Sequence, residues 1–119
     1  MTSSLSTSIS NLLSDLNILW FDFETTGLSF ENDEIIQACF LNNKNGESYM
    51  RYILPNNFSE IPKEASEING ITMEKLISYP HTTQEEFYDE CSLWYYEQFK
   101  DASPSPVYWI AIIVGVLIC

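Results

Sequence analysis

Basic residues are scarce in this sequence. Only 5 Lys and Arg stand against 17 Asp and Glu in 119 residues, which gives a formal net charge of −12. A chain this acidic repels polyanions, and this argues against a protein that binds nucleic acid through a basic surface. The argument does not apply to proteins that bind nucleic acid through divalent cations. In such proteins clustered acids hold the cations, and the cations bind the phosphate.

Cysteines are also few, and an export signal is absent. Cys39, Cys91 and Cys119 are odd in number and show no metal-type spacing, which fits a reduced intracellular setting in the cytoplasm or nucleus. The opening residues, MTSSLSTSIS, carry no basic residue and no apolar block follows them, unlike a secretory signal. We interpret residues 1–15 as a loose Ser/Thr-rich leader and residues 16–119 as a single domain.

Apolar and aromatic residues are plentiful, at 45% and 14% of the chain. This content suffices for a modest core in one globular domain. Three segments have the composition of strands: a nearly continuous apolar run at 17–23, a second at 33–42 and a third at 48–54. Because short polar turns join them, the sequence predicts a three-stranded meander.

Helical signals follow the third strand. Pro62 is suited to open a short helix that Gly70 caps, and Thr72 is suited to cap the start of the next one. The longest helix is predicted from a Thr cap at residue 83 to residue 100. Its apolar residues recur every three to four positions: Phe87, Cys91, Trp94, Tyr95 and Phe99. We assign them to packing rather than to base stacking, so strands and helices together predict an α/β domain.

The segment 107–119 is wholly apolar. As a helix it would span about 20 Å, whereas the hydrocarbon core of a membrane is about 30 Å thick, and no basic residue flanks it. We therefore expect a fourth buried strand, parallel to the first and reached through the helices. A small acidic protein with a C-terminal membrane anchor is the less favoured alternative.

Two acids stand at the end of the first predicted strand. Side chains at i and i+2 of a strand share a face, so Asp22 and Glu24 point the same way with Cα atoms about 6.6–7 Å apart. Carboxylate oxygens are the ligands that Mg²⁺ prefers, and a pair of such ions can hold both oxygens of a phosphodiester exchange. This spacing indicates a candidate metal site, although an Asp-x-Glu also arises by chance in so acidic a chain.

Two wider stretches carry a family resemblance. FDFETTGL followed by DEIIQACF resembles the first motif block of the DEDD 3′–5′ exonucleases, and IPKEASEINGITMEKL resembles the segment that follows it. The resemblance implies a ribonuclease H-like mixed sheet and a metal-dependent 3′–5′ exonuclease domain acting on DNA or RNA ends. It implies that Asp22 and Glu24 are catalytic metal ligands for Mg²⁺ or Mn²⁺, half of a two-metal site.

The resemblance also implies a substrate site. Four residues of the turn after the strand would meet the terminal nucleotide: Thr25, Thr26, Gly27 and Leu28. Three residues of the second stretch would lie against the terminal base: Gly70, Ile71 and Thr72. Asn69 stands where that motif often has His. Gly27 has two open interpretations, a close approach of backbone to substrate or a tight turn alone.

His81 is not assigned to catalysis. The family's catalytic His lies much later in its sequence, so we expect His81 to be a loop residue. The family site needs four acids and a His or Tyr drawn from three blocks, and this chain supplies the first block only.

We accordingly expect the front part of an exonuclease domain, incomplete at its C-terminal side and inactive by itself. Segment 107–119 is then either an apolar strand or an aberrant tail. One hypothesis places the missing block in a shifted reading frame, in which suitable codons for Ala111–Ile113 and Val116–Ile118 encode His-Asn and Phe-Asp. The expected partner is a nucleic-acid 3′ end, and a polymerase or another domain is a further one. The alternative is a non-catalytic module that binds nucleic acid or protein.

Overall fold

The computed structural model describes residues 11–102 and 105–111. In these ranges three consecutive strands are followed by two short helices, a short strand, the longest helix and a last strand. The strands are β1 Asn17–Thr25, β2 Ile35–Asn42, β3 Ser48–Ile53, β4 His81–Thr82 and β5 Val107–Ala111. The helices are α1 Lys63–Asn69, α2 Met73–Ser78 and α3 Gln84–Phe99.

All five strands belong to one mixed sheet, in the order β4-β3-β2-β1-β5. The first three pair antiparallel with their chain neighbours, which confirms the predicted meander. Strand β5 pairs parallel with β1, and the chain between them runs through all three helices. The expected α/β architecture, with a late strand parallel to the first, is therefore confirmed. The expected burial of that strand was wrong, because β5 is the fifth strand, lies at the edge of the sheet and has half-buried or exposed side chains.

Each face of the sheet packs against different helices. On one face the buried residues Leu19 and Phe40 pack with Phe87 and Phe99 of α3. On the other face Ile36 packs with residues of α1 and α2 and of the segment before each, namely Ile61, Ala65, Ile71 and Leu76. Because side chains alternate along a strand, the apolar odd-numbered residues of β1 face α3, while Asp22 and Glu24 face the side of α1 and α2.

The helix ends follow the expected capping chemistry. Pro62 precedes α1, and Gly70 ends it with a left-handed φ of 72° that suits glycine. The hydroxyl of Thr72 accepts a hydrogen bond from the amide of Lys75 at the start of α2. Thr83 and Glu86 form a reciprocal capping box at the start of α3.

The aromatic residues of α3 pack against the sheet, as expected from their spacing. Phe87 and Phe99 are buried, and Cys91, Trp94 and Tyr95 are half-buried against the same cluster. The ring of Trp94 stacks on Phe40 with centroids 5.9 Å apart.

One strand was not predicted. His81, expected in a loop, and Thr82 form β4, which pairs parallel with Tyr52 and Ile53 of β3. A two-residue strand is too short to show any alternation of apolar and polar residues, so no local pattern predicts it. His81 is exposed, and its Nδ1 lies 2.7 Å from the carbonyl oxygen of Tyr79.

The ends of the chain are described only in part. Of the predicted leader, residues 1–10 lie outside the described residues, and residues 11–14 form a helical turn. Of the apolar segment 107–119, residues 107–111 form β5, and residues 112–119, with the alternatives proposed for them, lie outside the described residues. Within the described ranges, no helix has the length and apolar character needed to cross a membrane.

Candidate active site

The acids of β1 lie where the β1–β2 ladder becomes irregular. Asp22 pairs with Cys39 and Glu24 with Gln37, but Thr25 pairs with Ile35. Ile36 is thus an extra residue in β2, which is the arrangement of a β-bulge. The bulge lies directly beside the two acids, and it turns the fully buried Ile36 toward α1 and α2.

Asp22 has an unsatisfied acceptor. Its Oδ2 atom is buried and has no hydrogen-bond partner among the described residues. Burial raises the pKa of the Asp22 carboxyl, and a hydrogen bond from the backbone N–H of Phe23 offsets part of that rise. A buried carboxylate oxygen without a donor is costly, and a cation would satisfy it. The residues present therefore fit a metal ion.

Glu24 shares this environment. Burial raises the pKa of its carboxyl, and the charge of Asp22 raises it further. Two half-buried acids on one face thus favour a bound proton or cation over two bare charges. In the described part of the chain, no group of three or more His, Cys, Asp or Glu is placed to hold a metal ion. The site as described is a pair of carboxylates.

The turn after β1 satisfies its own polar groups. Thr25 donates its hydroxyl to the carbonyl of Gly27 at 2.7 Å. Thr26 is 1% exposed. Its hydroxyl donates to Asp33 Oδ1 at 2.7 Å and accepts from the amide of Glu34 at 2.9 Å. The Thr26 side chain therefore holds the turn in shape and has no exposed surface to offer a ligand.

Gly27 has a steric reason for lacking a side chain. A Cβ atom at this position would lie 2.6 Å from Asp33 Oδ2 and 2.8 Å from Asp33 Cγ. Asp33 is fixed there by the Thr26 hydroxyl and by the amide of Ser29, which donates to Oδ2 at 2.7 Å. The carboxylate of Asp33 in the same loop thus leaves no room for a side chain at Gly27. This contact within the turn explains why the residue is glycine.

The turn and α1 enclose a cleft of about 570 Å³. Its lining joins the first motif block to the second: Phe23, Glu24, Thr25, Thr26, Gly27, Leu28, Asp33, Pro62, Glu64, Ala65, Ile68 and Asn69. Leu28 of the turn and Ile68 of α1 are almost fully exposed apolar side chains among the residues that line this cleft. Glu24, one residue of the candidate metal pair, thus lines a cleft whose other residues are partly apolar and partly polar.

Two of the three predicted residues of the second motif block take the expected capping positions, and the contact of all three with a terminal base stays a prediction. Gly70 caps α1, Thr72 caps α2, and Ile71 is 6% exposed within the core under the sheet. None of these three is among the residues that line the cleft. Asn69 does line it, and its Nδ2 donates to the carbonyl of Thr25 at 3.3 Å.

Comparison with protein families places these residues in a known group. The model of the RNase T exonuclease family matches residues 19–99, which include both acids, the turn and all three helices. The chain belongs to this exonuclease family. Membership confirms the resemblance found in the two motif blocks and supports a nuclease function in general terms.

Solved structures support the fold of this chain. Thirty-six chains match, among them the crystal structure of cell-death related nuclease 4, at a TM-score of 0.52 and 17% sequence identity. The match covers 80% of this chain and 33% of that one, so the present chain spans about a third of that nuclease's length. The likeness supports the ribonuclease H-like mixed sheet. A search of curated proteins finds no match.

Sequence reasoning missed two residues of this site. Asp33 was placed in a strand, whereas it shapes the turn through Thr26 and Ser29. Its signal was the Thr-Thr-Gly turn itself, which needs an acceptor for a buried hydroxyl. Asn69 replaces the His that the motif often has at this position. That replacement is the sequence signal for its contact with Thr25.

Proposed function

We propose that this chain is part of a metal-dependent 3′–5′ exonuclease domain that acts on DNA or RNA ends. The observation that carries the proposal is the buried Oδ2 of Asp22, which has no hydrogen-bond partner in residues 11–102 and 105–111 and lies two residues from Glu24 on one face of β1. Both acids lie in the segment that matches the exonuclease family. A bound cation would give this buried carboxylate oxygen the partner that it needs.

Asp22 and Glu24 would hold Mg²⁺ or Mn²⁺ through their carboxylate oxygens. Divalent ions bound there would act as a Lewis acid toward phosphate and lower the pKa of a bound water. The protein's own part is to fix the two carboxylates on a central strand and to keep the Oδ2 atom of Asp22 away from bulk water. Binding of a cation would also remove the repulsion that raises the pKa of Glu24.

The cleft beside Glu24 would take the terminal nucleotide. Leu28 of the turn and Ile68 of α1, both exposed residues that line the cleft, would offer apolar surface to a base. Because the chain carries a net charge of −12, attraction of the phosphate would depend on the bound cations. Gly70, Ile71 and Thr72 would support this site from behind by fixing the ends of α1 and α2.

We further propose that these 119 residues alone bind metal weakly and turn over negligibly. The family resemblance implies four acids, and the described residues offer a pair. An intracellular location, in the cytoplasm or nucleus, and a polymerase or other domain as partner belong to the same proposal.

The first experiment is a nuclease assay with a labelled single strand. The purified chain would be incubated with 3′-labelled DNA and, separately, RNA in the presence of Mg²⁺ or Mn²⁺. Binding of Mn²⁺ would be followed by paramagnetic broadening of the backbone amides of β1. We expect broadening centred on residues 22–24 and little release of mononucleotide.

Asp22→Asn is the matched control, because it keeps the shape of the side chain and removes its charge. It should abolish the Mn²⁺ broadening. Brisk release that depends on Asp22 would overturn the proposed inactivity, whereas broadening that persists in Asp22→Asn would overturn the metal site itself. If the chain binds the single-stranded DNA or RNA in the absence of metal and does not cleave it, the result would instead favour a non-catalytic binding module.

A further inference from the structure

Asn69 forms the link between two segments that lie 44 positions apart in the sequence. Its Nδ2 donates to the carbonyl of Thr25 at 3.3 Å, and its Oδ1 accepts from the amide of Ile71 at 2.9 Å. Thr25 begins the turn after the acids, and Ile71 lies in the junction between α1 and α2. The carboxamide of Asn69, which lines the cleft at the end of α1, thus holds the carbonyl of Thr25 in the turn, while the amide of Ile71 fixes the orientation of that carboxamide.

The chemistry of this link requires a donor and an acceptor on the same short side chain. A carboxamide has both, whereas a carboxylate lacks the donor and an aliphatic side chain lacks both. Across the described residues, this is the single side-chain hydrogen bond that joins the segment 25–28 to α1, α2 or their junction. The other polar side-chain contacts of that segment stay within the loop that ends at Glu34.

The remaining support for the junction comes from its own side. Lys75 Nζ donates to the carbonyl of Gly70 at 2.8 Å, and Ile71 is buried in the cluster beneath α1 and α2. The junction is thus well fixed, and so is the turn through Asp33. Asn69 fixes the position of the turn relative to the junction between α1 and α2.

We propose that Asn69 is a positioning residue that sets the width of the cleft and thereby the affinity of the chain for a terminal nucleotide. The nucleotide part rests on the proposed function, and the positioning part stands on the two hydrogen bonds. Asn69 acts here through the Thr25 carbonyl and the Ile71 amide, and its effect on a ligand is indirect.

The test compares wild type with Asn69→Leu, which keeps a side chain of similar size and removes both hydrogen bonds. Amide spectra would be recorded while thymidine 5′-monophosphate is added in the presence of Mg²⁺. We expect the variant to bind the nucleotide about five- to tenfold more weakly, since each lost hydrogen bond in a half-buried site is of modest worth. Without nucleotide, the amides of Thr25 to Gly27 should shift and the amide of Ile71 should exchange faster with solvent.

Gln98→Ala is the matched control for a loss of stability alone. Gln98 accepts hydrogen bonds from Asn42 and Asn45 at the far end of the β2–β3 hairpin, so it also makes paired amide contacts but none at the cleft. It should lower the midpoint of chemical unfolding by an amount comparable to Asn69→Leu and leave nucleotide affinity unchanged.

The outcomes separate the inference from the proposed function. An equal loss of nucleotide affinity in Gln98→Ala, or unchanged Thr25 to Gly27 amides in Asn69→Leu, would overturn the positioning role. If wild type gives no response to the nucleotide while the Thr25 to Gly27 amides do shift in Asn69→Leu, the proposed nucleotide site fails and the positioning of the turn stands.

Discussion

The two faces of β1 differ in what their side chains do. On the face toward α3, Leu19 is buried and the rings of Phe21 and Phe23 lie 5.3 Å apart against the aromatic cluster. On the other face, Asp22 has a buried oxygen that meets no donor in the part of the chain that the structure describes, and Glu24 lines a cleft. One face stabilises the sheet, and the other holds groups whose burial costs free energy, as is usual where a site is prepared for a ligand.

The largest effect should come from breaking the packed face. Phe40 is 5% exposed and contacts the rings of Phe23, Tyr49, Trp94 and Trp109. Phe40→Ala should lower the free energy of unfolding by about 3–5 kcal/mol, because it removes buried area and leaves a cavity. Urea unfolding followed by tryptophan fluorescence would measure it.

Tyr96→Ala is the control for that change, since Tyr96 is a large side chain on the exposed face of α3. Its cost should stay within about 0.5 kcal/mol. A similar cost for both variants would mean that the aromatic cluster is not the main source of stability on this face.

A smaller effect should come from the turn between β1 and β2. Gly27→Ala places a methyl group against the fixed carboxylate of Asp33, so we expect a loss of about 1–3 kcal/mol. In an Asp33→Ala background the methyl group has room, and the same substitution should then cost clearly less. Equal costs in the two backgrounds would show that backbone conformation, rather than this contact, requires glycine.

The smallest effect, of opposite sign, should come from the acid face. Asp22→Asn removes a charge whose burial is unfavourable, so it should raise the free energy of unfolding at neutral pH by about 0.5–1 kcal/mol. A loss of stability on this substitution would contradict an unsatisfied carboxylate at Asp22.

The pH dependence of that difference follows from the direction of the pKa shifts. The folded-state pKa values of Asp22 and Glu24 lie above their ordinary values, so the folded chain binds protons more tightly than the unfolded one. Their unfavourable contribution is present above the folded pKa values and fades as the pH falls toward the unfolded ones. The gain from Asp22→Asn, measured by unfolding at several pH values, should shrink accordingly.

Most of the fold was accessible from the sequence because local signals agreed with one another. The apolar run at 17–23 was strong enough to predict β1, and Pro62, Gly70, Thr72 and Thr83 mark the helix ends by chemistry that depends on neighbouring residues only. The strand β4 escaped, since two residues carry no periodicity and its pairing with β3 is set by tertiary structure.

The site was accessible in part. Asp22 and Glu24 share a face by strand geometry alone, but burial of one Asp22 oxygen depends on neighbours that come from elsewhere in the chain. The second motif block shows the limit most clearly. Its predicted residues, Gly70 to Thr72, form helix caps and core, while Asn69 reaches the cleft because α1 ends against the turn. That contact joins distant segments, and no local pattern encodes it.

The extra residue in β2 shifts the pairing register between β1 and β2 by one residue next to Glu24. Ile35 packs toward α3 and its neighbour Ile36 toward α1 and α2, so two consecutive side chains anchor both layers of helices to one end of the strand. A regular strand would send one of the pair to each face too, but it would then pair Ile36 with Thr25 and shift Ile35 beyond the end of β1. Deleting a single residue here would therefore act at a distance: it would move the β1–β2 loop, and with it the wall of the cleft, by one step along the ladder.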